Sequence, residues 1–87
     1  MTDLNHPQTL TMYGAAWCSD CRRSKRLLDK RGVAYEYVDL DADPTKADDA
    51  KAISGRTSIP VVVFPDGEHF VEPTDRELTA KLEAVGL

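Results

Sequence analysis

Cysteine and histidine are scarce in this 87-residue chain, with two of each, and no stretch nears the roughly 18 consecutive apolar residues of a membrane span. A secreted domain this small usually carries about four to six scattered cysteines to make up for its small core, so the count speaks against a stapled extracellular scaffold. Residues 1–8 have neither a basic flank nor an apolar run. They do not read as a signal peptide but as a mobile lead-in, and the cytoplasm is the expected compartment. Basic charge is also short. Eleven Lys and Arg face fifteen Asp and Glu, and the net charge of −4 is the opposite of what nonspecific nucleic-acid binding requires. There is no repeat, linker or low-complexity tract, and no room for a second hydrophobic core. Residues 1–87 therefore read as one domain, expected to act as a monomer with no membrane and no nucleic-acid partner.

The two cysteines lie three positions apart, in Cys18-Ser19-Asp20-Cys21. A structural disulfide there would close too small a loop to stabilise much, so the pair points to chemistry. Four of the basic residues, Arg22, Arg23, Lys25 and Arg26, follow directly. The acids gather elsewhere, in Asp39 to Asp49 and Glu68 to Glu77.

Hydrophobic periodicity places the motif. Thr9 to Tyr13 alternates like a half-buried strand with Leu10 and Met12 on one face, and Gly14 to Trp17 is a turn of mostly small residues. From Ser19 the pattern is helical, with Cys21, Ser24, Leu27 and Leu28 on one side, and Gly32 closes the helix behind Lys30 and Arg31. Val33 to Asp39 is a second strand. Asp43 and Pro44 are expected to open a second helix that ends at Gly55 and offers Ala47, Ala50 and Ile53 to the core. Ile59 to Phe64 is a continuous apolar run, the mark of a strand covered on both faces. Pro65-Asp66-Gly67 turns the chain into a hairpin partner, Glu68 to Val71. Thr74 and Glu77 have capping-box spacing at the head of a last helix whose buried stripe is Leu78, Leu82 and Val85. The order β-α-β-α-β-β-α fits an α/β fold, one four-stranded mixed sheet with helices on both faces.

Cys18 thus falls at a helix N-terminus, where unpaired amides and the positive end of the dipole stabilise a thiolate, the attacking form of the sulfur. Cys21, one turn deeper, is the candidate resolving thiol. Asp20 opposes thiolate formation by like-charge repulsion, and the basic run offsets it in part. The bland alternative is half of a structural zinc site. It needs two more ligands, and His6 and His69 are not spaced as a ligand pair, so no metal is expected. His69 reads as a solvated hairpin residue. Trp17 either packs or shapes a substrate groove beside the thiol.

With Trp17-Cys18-Ser19-Asp20-Cys21 after the first strand and Ser58-Ile59-Pro60 before the third, the chain resembles the glutaredoxin branch of the thioredoxin-fold superfamily, from about Thr9 to Val85. The resemblance implies a cis Ile59–Pro60 bond beside the active site, with the Ile59 backbone pairing with an extended thiol substrate. A trans proline opening a strand is the alternative. Typical glutaredoxins have Pro-Tyr between the cysteines and a Gly-Gly pair before the last helix. Here Ser-Asp and the segment Val71-Glu72-Pro73-Thr74-Asp75 stand instead. Thr74 and Asp75 are similar to the family's Thr/Ser-Asp pair, which holds the charged end of glutathione. The Trp-Cys motif, the short chain and the Phe64-Pro65-Asp66-Gly67 hairpin ahead of Pro73 look more like mycoredoxins, which act on mycothiol mixed disulfides.

What the resemblance implies is a thiol–disulfide oxidoreductase without a bound cofactor. Its co-substrate is a low-molecular-weight thiol, mycothiol in preference to glutathione, and its partners are thiolated or disulfide-bonded proteins. Cys18 and Cys21 are the catalytic pair, and Trp17, Ile59, Pro60, Thr74 and Asp75 line the substrate groove. Arg22 either steers an anionic adduct or belongs to a solvated helix face. Two other readings stay open. One is a dithiol donor recharged by thioredoxin reductase and serving ribonucleotide reductase, although the Trp-Ser-Gly-Phe segment usual in that branch is missing. The other is a module sharing an iron–sulfur cluster between two chains through Cys18.

Overall fold

The alternating segment that begins at Thr9 becomes strand β1, Leu10–Gly14, and it is buried along its whole length. A half-buried strand was the expectation, and the difference is tertiary. In the computed structural model, which describes Leu4 and residues 6–87, β1 lies inside a four-stranded sheet of order β2-β1-β3-β4. Residues 1–3 and 5 of the expected mobile lead-in lie outside the described residues.

β1 runs parallel to β2, Tyr35–Asp39, and antiparallel to β3, Val61–Val63, which pairs antiparallel with β4, His69–Val71. Leu10 and Met12 face one layer, packing with Cys21 and Leu28 of helix α1 (Ser19–Arg31) and Leu78 and Leu82 of helix α3 (Asp75–Ala84). Tyr13 faces the other layer with Val61, Val63 and Ala50 of helix α2 (Lys46–Ser54). All three β3 valines are fully buried, as the apolar run predicts. Burying each such side chain stabilises the fold by about 1.5–3 kcal/mol.

The element ends follow local chemistry. Gly32, at φ 69°, donates to Asp29 O, and Val33 N donates to Leu28 O, which closes α1 in a left-handed cap. Val33 is used up in that cap, so β2 begins at Tyr35 rather than Val33. Asp43 accepts from Thr45 N, but the turn it caps is closed by i→i+3 bonds, Lys46 N to Asp43 O and Ala47 N to Pro44 O. A tight 3₁₀-type turn therefore precedes α2, which starts at Lys46 and not at Asp43–Pro44. Its expected core contacts divide: Ala50 is buried, Ile53 half-buried and Ala47 exposed. The capping box on α3 forms in both directions. Val85, expected on the buried stripe, is 38% exposed because the helix ends at Ala84 and the backbone leaves helical geometry there. No helix is long and apolar enough to cross a membrane among the described residues.

Candidate active site

The antiparallel β1–β3 pairing brings the end of β1 and the start of β3 to one edge of the sheet, and the motif cysteines meet Ile59–Pro60 there. Cys18 is the N-cap of α1, with an extended backbone at φ −87°, ψ 115°. Its Sγ takes the place a serine or aspartate oxygen usually fills, accepting from Cys21 N at 3.2 Å. The sulfur is half-buried and lies 3.8 Å from the Ile59 carbonyl oxygen, to which the thiol donates. The Ile59–Pro60 bond is cis.

Cys21 is in the opposite situation, 1% exposed and part of the core cluster. Burial pushes its thiol up to about 12, and its hydrogen bond with Cys18 adds to the effect. Gly14 makes room for it: a Cβ there would sit 3.2 Å from both Cys21 Cβ and Sγ and 3.3 Å from the Tyr37 ring. Both cysteines are free thiols.

A groove of about 400 Å³ opens beside Cys18. Its lining comes from three stretches of chain: Trp17, Ser19 and Asp20 around the start of α1, Thr57 to Ile59 ahead of β3, and Glu72 just after β4. Trp17 is 71% exposed, and its Nε1 donates to Asp41 at 3.0 Å, which braces the indole against the loop after β2. Pro60 is buried, and its carbonyl accepts from Glu72 N at 2.9 Å.

The remaining sequence candidates lie around this groove rather than in its lining. Arg22 turns back and donates to the Ala16 carbonyl at 2.6 Å. Thr74 is engaged in the capping box with Glu77. Asp75 pairs with Arg23 at 3.3 Å, and the two border a separate depression with Arg26 and Lys30. Arg23 also pairs with Asp20 at 3.1 Å and donates to Pro73 O at 3.0 Å, so it clasps the first turn of α1 to the loop ahead of α3. Sequence reasoning gave Arg23 only a share in the basic run and gave Glu72 no role in the groove. The one signal for Glu72 was its place in the segment that replaces a glycine turn. His69 is exposed on β4, and the His6 ring sits against Gly67. Among the described residues no group of three or more His, Cys, Asp or Glu side chains is disposed to hold a metal ion.

A half-buried sulfur at a helix N-cap, a second thiol one turn behind it and a cis-proline strand alongside form an arrangement that can receive and exchange a disulfide. The glutaredoxin family model matches residues 10–70, well over half of the chain. The chain belongs to the glutaredoxin family. This glutaredoxin is a thiol–disulfide oxidoreductase. It is 34% identical over 77 residues to Mycoredoxin 1 of Corynebacterium glutamicum, covering 87% of this chain and 95% of that protein. It is 33% identical over 58 residues to Glutaredoxin 3 of Escherichia coli K12, covering 67% of this chain and 69% of that one. Among solved structures it resembles a glutaredoxin from Archaeoglobus fulgidus, with a TM-score of 0.75, 28% identity and 83% of each chain covered. The four-stranded mixed sheet with three helices is the thioredoxin-like fold of this family.

Proposed function

We propose that this glutaredoxin reduces mixed disulfides between protein thiols and a low-molecular-weight thiol, with mycothiol preferred over glutathione. The observation that carries this reading is the asymmetry of the two sulfurs. Cys18 faces the groove, whereas Cys21 is buried and remains a thiol at neutral pH.

The Cys18 thiolate attacks the small-thiol sulfur of the mixed disulfide. The protein thiolate leaves and takes a proton from water, and the small thiol stays bonded to Cys18. A second small thiol, as thiolate, attacks that adduct, releasing a small-molecule disulfide and restoring Cys18. Cys21 offers a second exit by closing a Cys18–Cys21 disulfide and expelling the small thiol. That exit is slow, because an attacking thiol works best with a pKa near ambient pH. The Ile59 backbone supports an extended substrate strand beside the cis proline. Trp17 lines the groove, and Thr74 and Asp75, with the head of α3, take the far end of a small thiol that reaches past Glu72. Arg22 acts by fixing the turn before Cys18 through Ala16. Mycothiol is preferred on the match to Mycoredoxin 1 over nearly all of that protein. The domain works alone, in the reducing cytoplasm.

The test is turnover of a mixed disulfide by wild type, Cys21→Ser and Cys18→Ser, each supplied with mycothiol or glutathione and the matching reductase. Cys21→Ser should keep most of its activity with mycothiol, and Cys18→Ser should have none. Loss of activity in Cys21→Ser with both thiols would replace this reading with a dithiol mechanism.

A further inference from the structure

Glu72 stands in a backbone conformation that residues other than glycine seldom take, at φ 51°. It is held there by its N–H bond to the Pro60 carbonyl, which fixes the position beside the strand that a substrate would pair with. Its exposed side chain lines the Cys18 groove. Two charged residues line that groove, Asp20 and Glu72, and both are acids. Asp20 pairs with Arg23 at 3.1 Å, a cation it shares with Asp75, whereas Glu72 makes no ion pair among the described residues. The surrounding cations are engaged elsewhere or lie outside the lining: Arg22 donates to the Ala16 carbonyl, Arg23 is shared between Asp20 and Asp75, and Lys51 and Arg56 line another depression together with Asp48. The lining of the groove itself therefore carries negative charge only, and every cation near it belongs to a neighbouring surface.

We propose that Glu72 determines specificity as a charge filter, admitting mixed disulfides whose small-thiol part is uncharged or cationic beside it and rejecting a carboxylate there. This rests on the mixed-disulfide reading above and supplies its physical basis. Mycothiol is uncharged, since its cysteine amine is acetylated and its carboxyl is tied to a sugar as an amide. Glutathione brings two carboxylates and one ammonium. A carboxylate near Glu72 at a surface of intermediate dielectric loses roughly three- to tenfold in rate. The strained backbone fits the assignment, because glycine would hold the turn more easily and bring no charge.

The experiment uses one neutral reporter peptide disulfide-bonded in turn to cysteamine, 2-mercaptoethanol or 3-mercaptopropionate. Single-turnover release of the peptide by reduced protein is measured, and each rate is divided by that of the same disulfide with free 2-mercaptoethanol. Wild type should rank cationic above neutral above anionic. E72Q should narrow the neutral-to-anionic ratio by about three- to tenfold, and so should about 1 M salt, where charges screen within about 3 Å. E72G should narrow the ratio equally while raising the melting temperature, which separates the charge effect from any misfolding. E83Q removes the same charge from the exposed end of α3 and should keep the wild-type ratio. A wild-type ratio insensitive to salt, or an E72Q ratio equal to that of E83Q, overturns the filter. The two readings fail separately. If E72Q shifts the ratio while glutathione serves as well as mycothiol, the filter stands and the mycothiol preference falls. If mycothiol wins while E72Q leaves the ratio in place, the filter falls.

Discussion

Cys21 differs from Cys18 by three positions in sequence and by nearly all of its contact with water. Its neutral thiol is the form the core accepts, so its ionisation is shifted upward from 9.0 to about 12, first by burial and then by its bond with Cys18. The sign of the linkage follows. Above pH 9.0 the unfolded chain gives up a proton that the folded chain keeps, so the contribution to stability is full below that pH and is lost as pH climbs toward 12. The reduced protein should therefore melt progressively lower across this alkaline range, and Cys21→Ala should flatten the slope. Tyr13 shifts in the same direction, by burial and then by Asp49 and Glu36, and adds to the slope in both proteins. Tyr35 and Tyr37 shift upward as well, first by burial, so the difference between the two melting series reports Cys21 together with its charge effect on Tyr37. Equal slopes would show that the thiol is not desolvated.

At the scale of elements, the site depends on how helices begin. Cys18 caps α1, and Thr74 caps α3 through reciprocal bonds with Glu77 of 3.1 and 2.9 Å. Thr74→Ala should cost about 1 kcal/mol in chemical denaturation. It should also loosen the loop that carries Glu72 and Pro73, and an unchanged midpoint would show that Glu77 alone holds the helix start. These ends were legible in the sequence because capping is local: Gly32, Gly55 and the Thr74–Glu77 spacing announce themselves within four residues. The errors lie where one local signal competes with another. Val33 is β-branched and reads as strand, yet its N–H closes the α1 cap. Asp43 and Pro44 read as a helix start, yet they make the tight turn ahead of α2. Val85 fits the helical period but falls beyond the last helical residue.

Across the whole molecule, sheet order decides what the end of the sheet bearing the candidate site contains. The order β2-β1-β3-β4 gathers the exit of β1, the entry to β3 and the exit of β4, so Cys18, Ile59 and Glu72 meet although 41 and 13 positions separate them in sequence. The cysteine pair, Trp17 and the Ile59–Pro60 step were readable because each is marked by a short motif. The full burial of β1 was not, since the cover over Thr11 and Tyr13 comes from distant packing that no local alternation records. Glu72 was hidden for the same reason: its place in the lining goes with its hydrogen bond to the Pro60 carbonyl, a contact between separate stretches of chain. Arg22 looked available for substrate by position alone, and its bond to Ala16 shows how little position says about a long, flexible side chain.

The indole braced by Asp41 is the single tryptophan of the chain, next to Cys18 in sequence and beside it in the groove. The protein thus carries a built-in optical probe beside the sulfur proposed to react. A disulfide formed on Cys18 brings a quenching group against the indole, so adduct formation and its clearance should appear as a fall and a recovery of ultraviolet emission in stopped flow, with no label attached. Trp17→Phe should abolish the signal, and Asp41→Asn should weaken it by freeing the ring to turn away. The catalytic cycle would then be followed in real time on the unmodified protein.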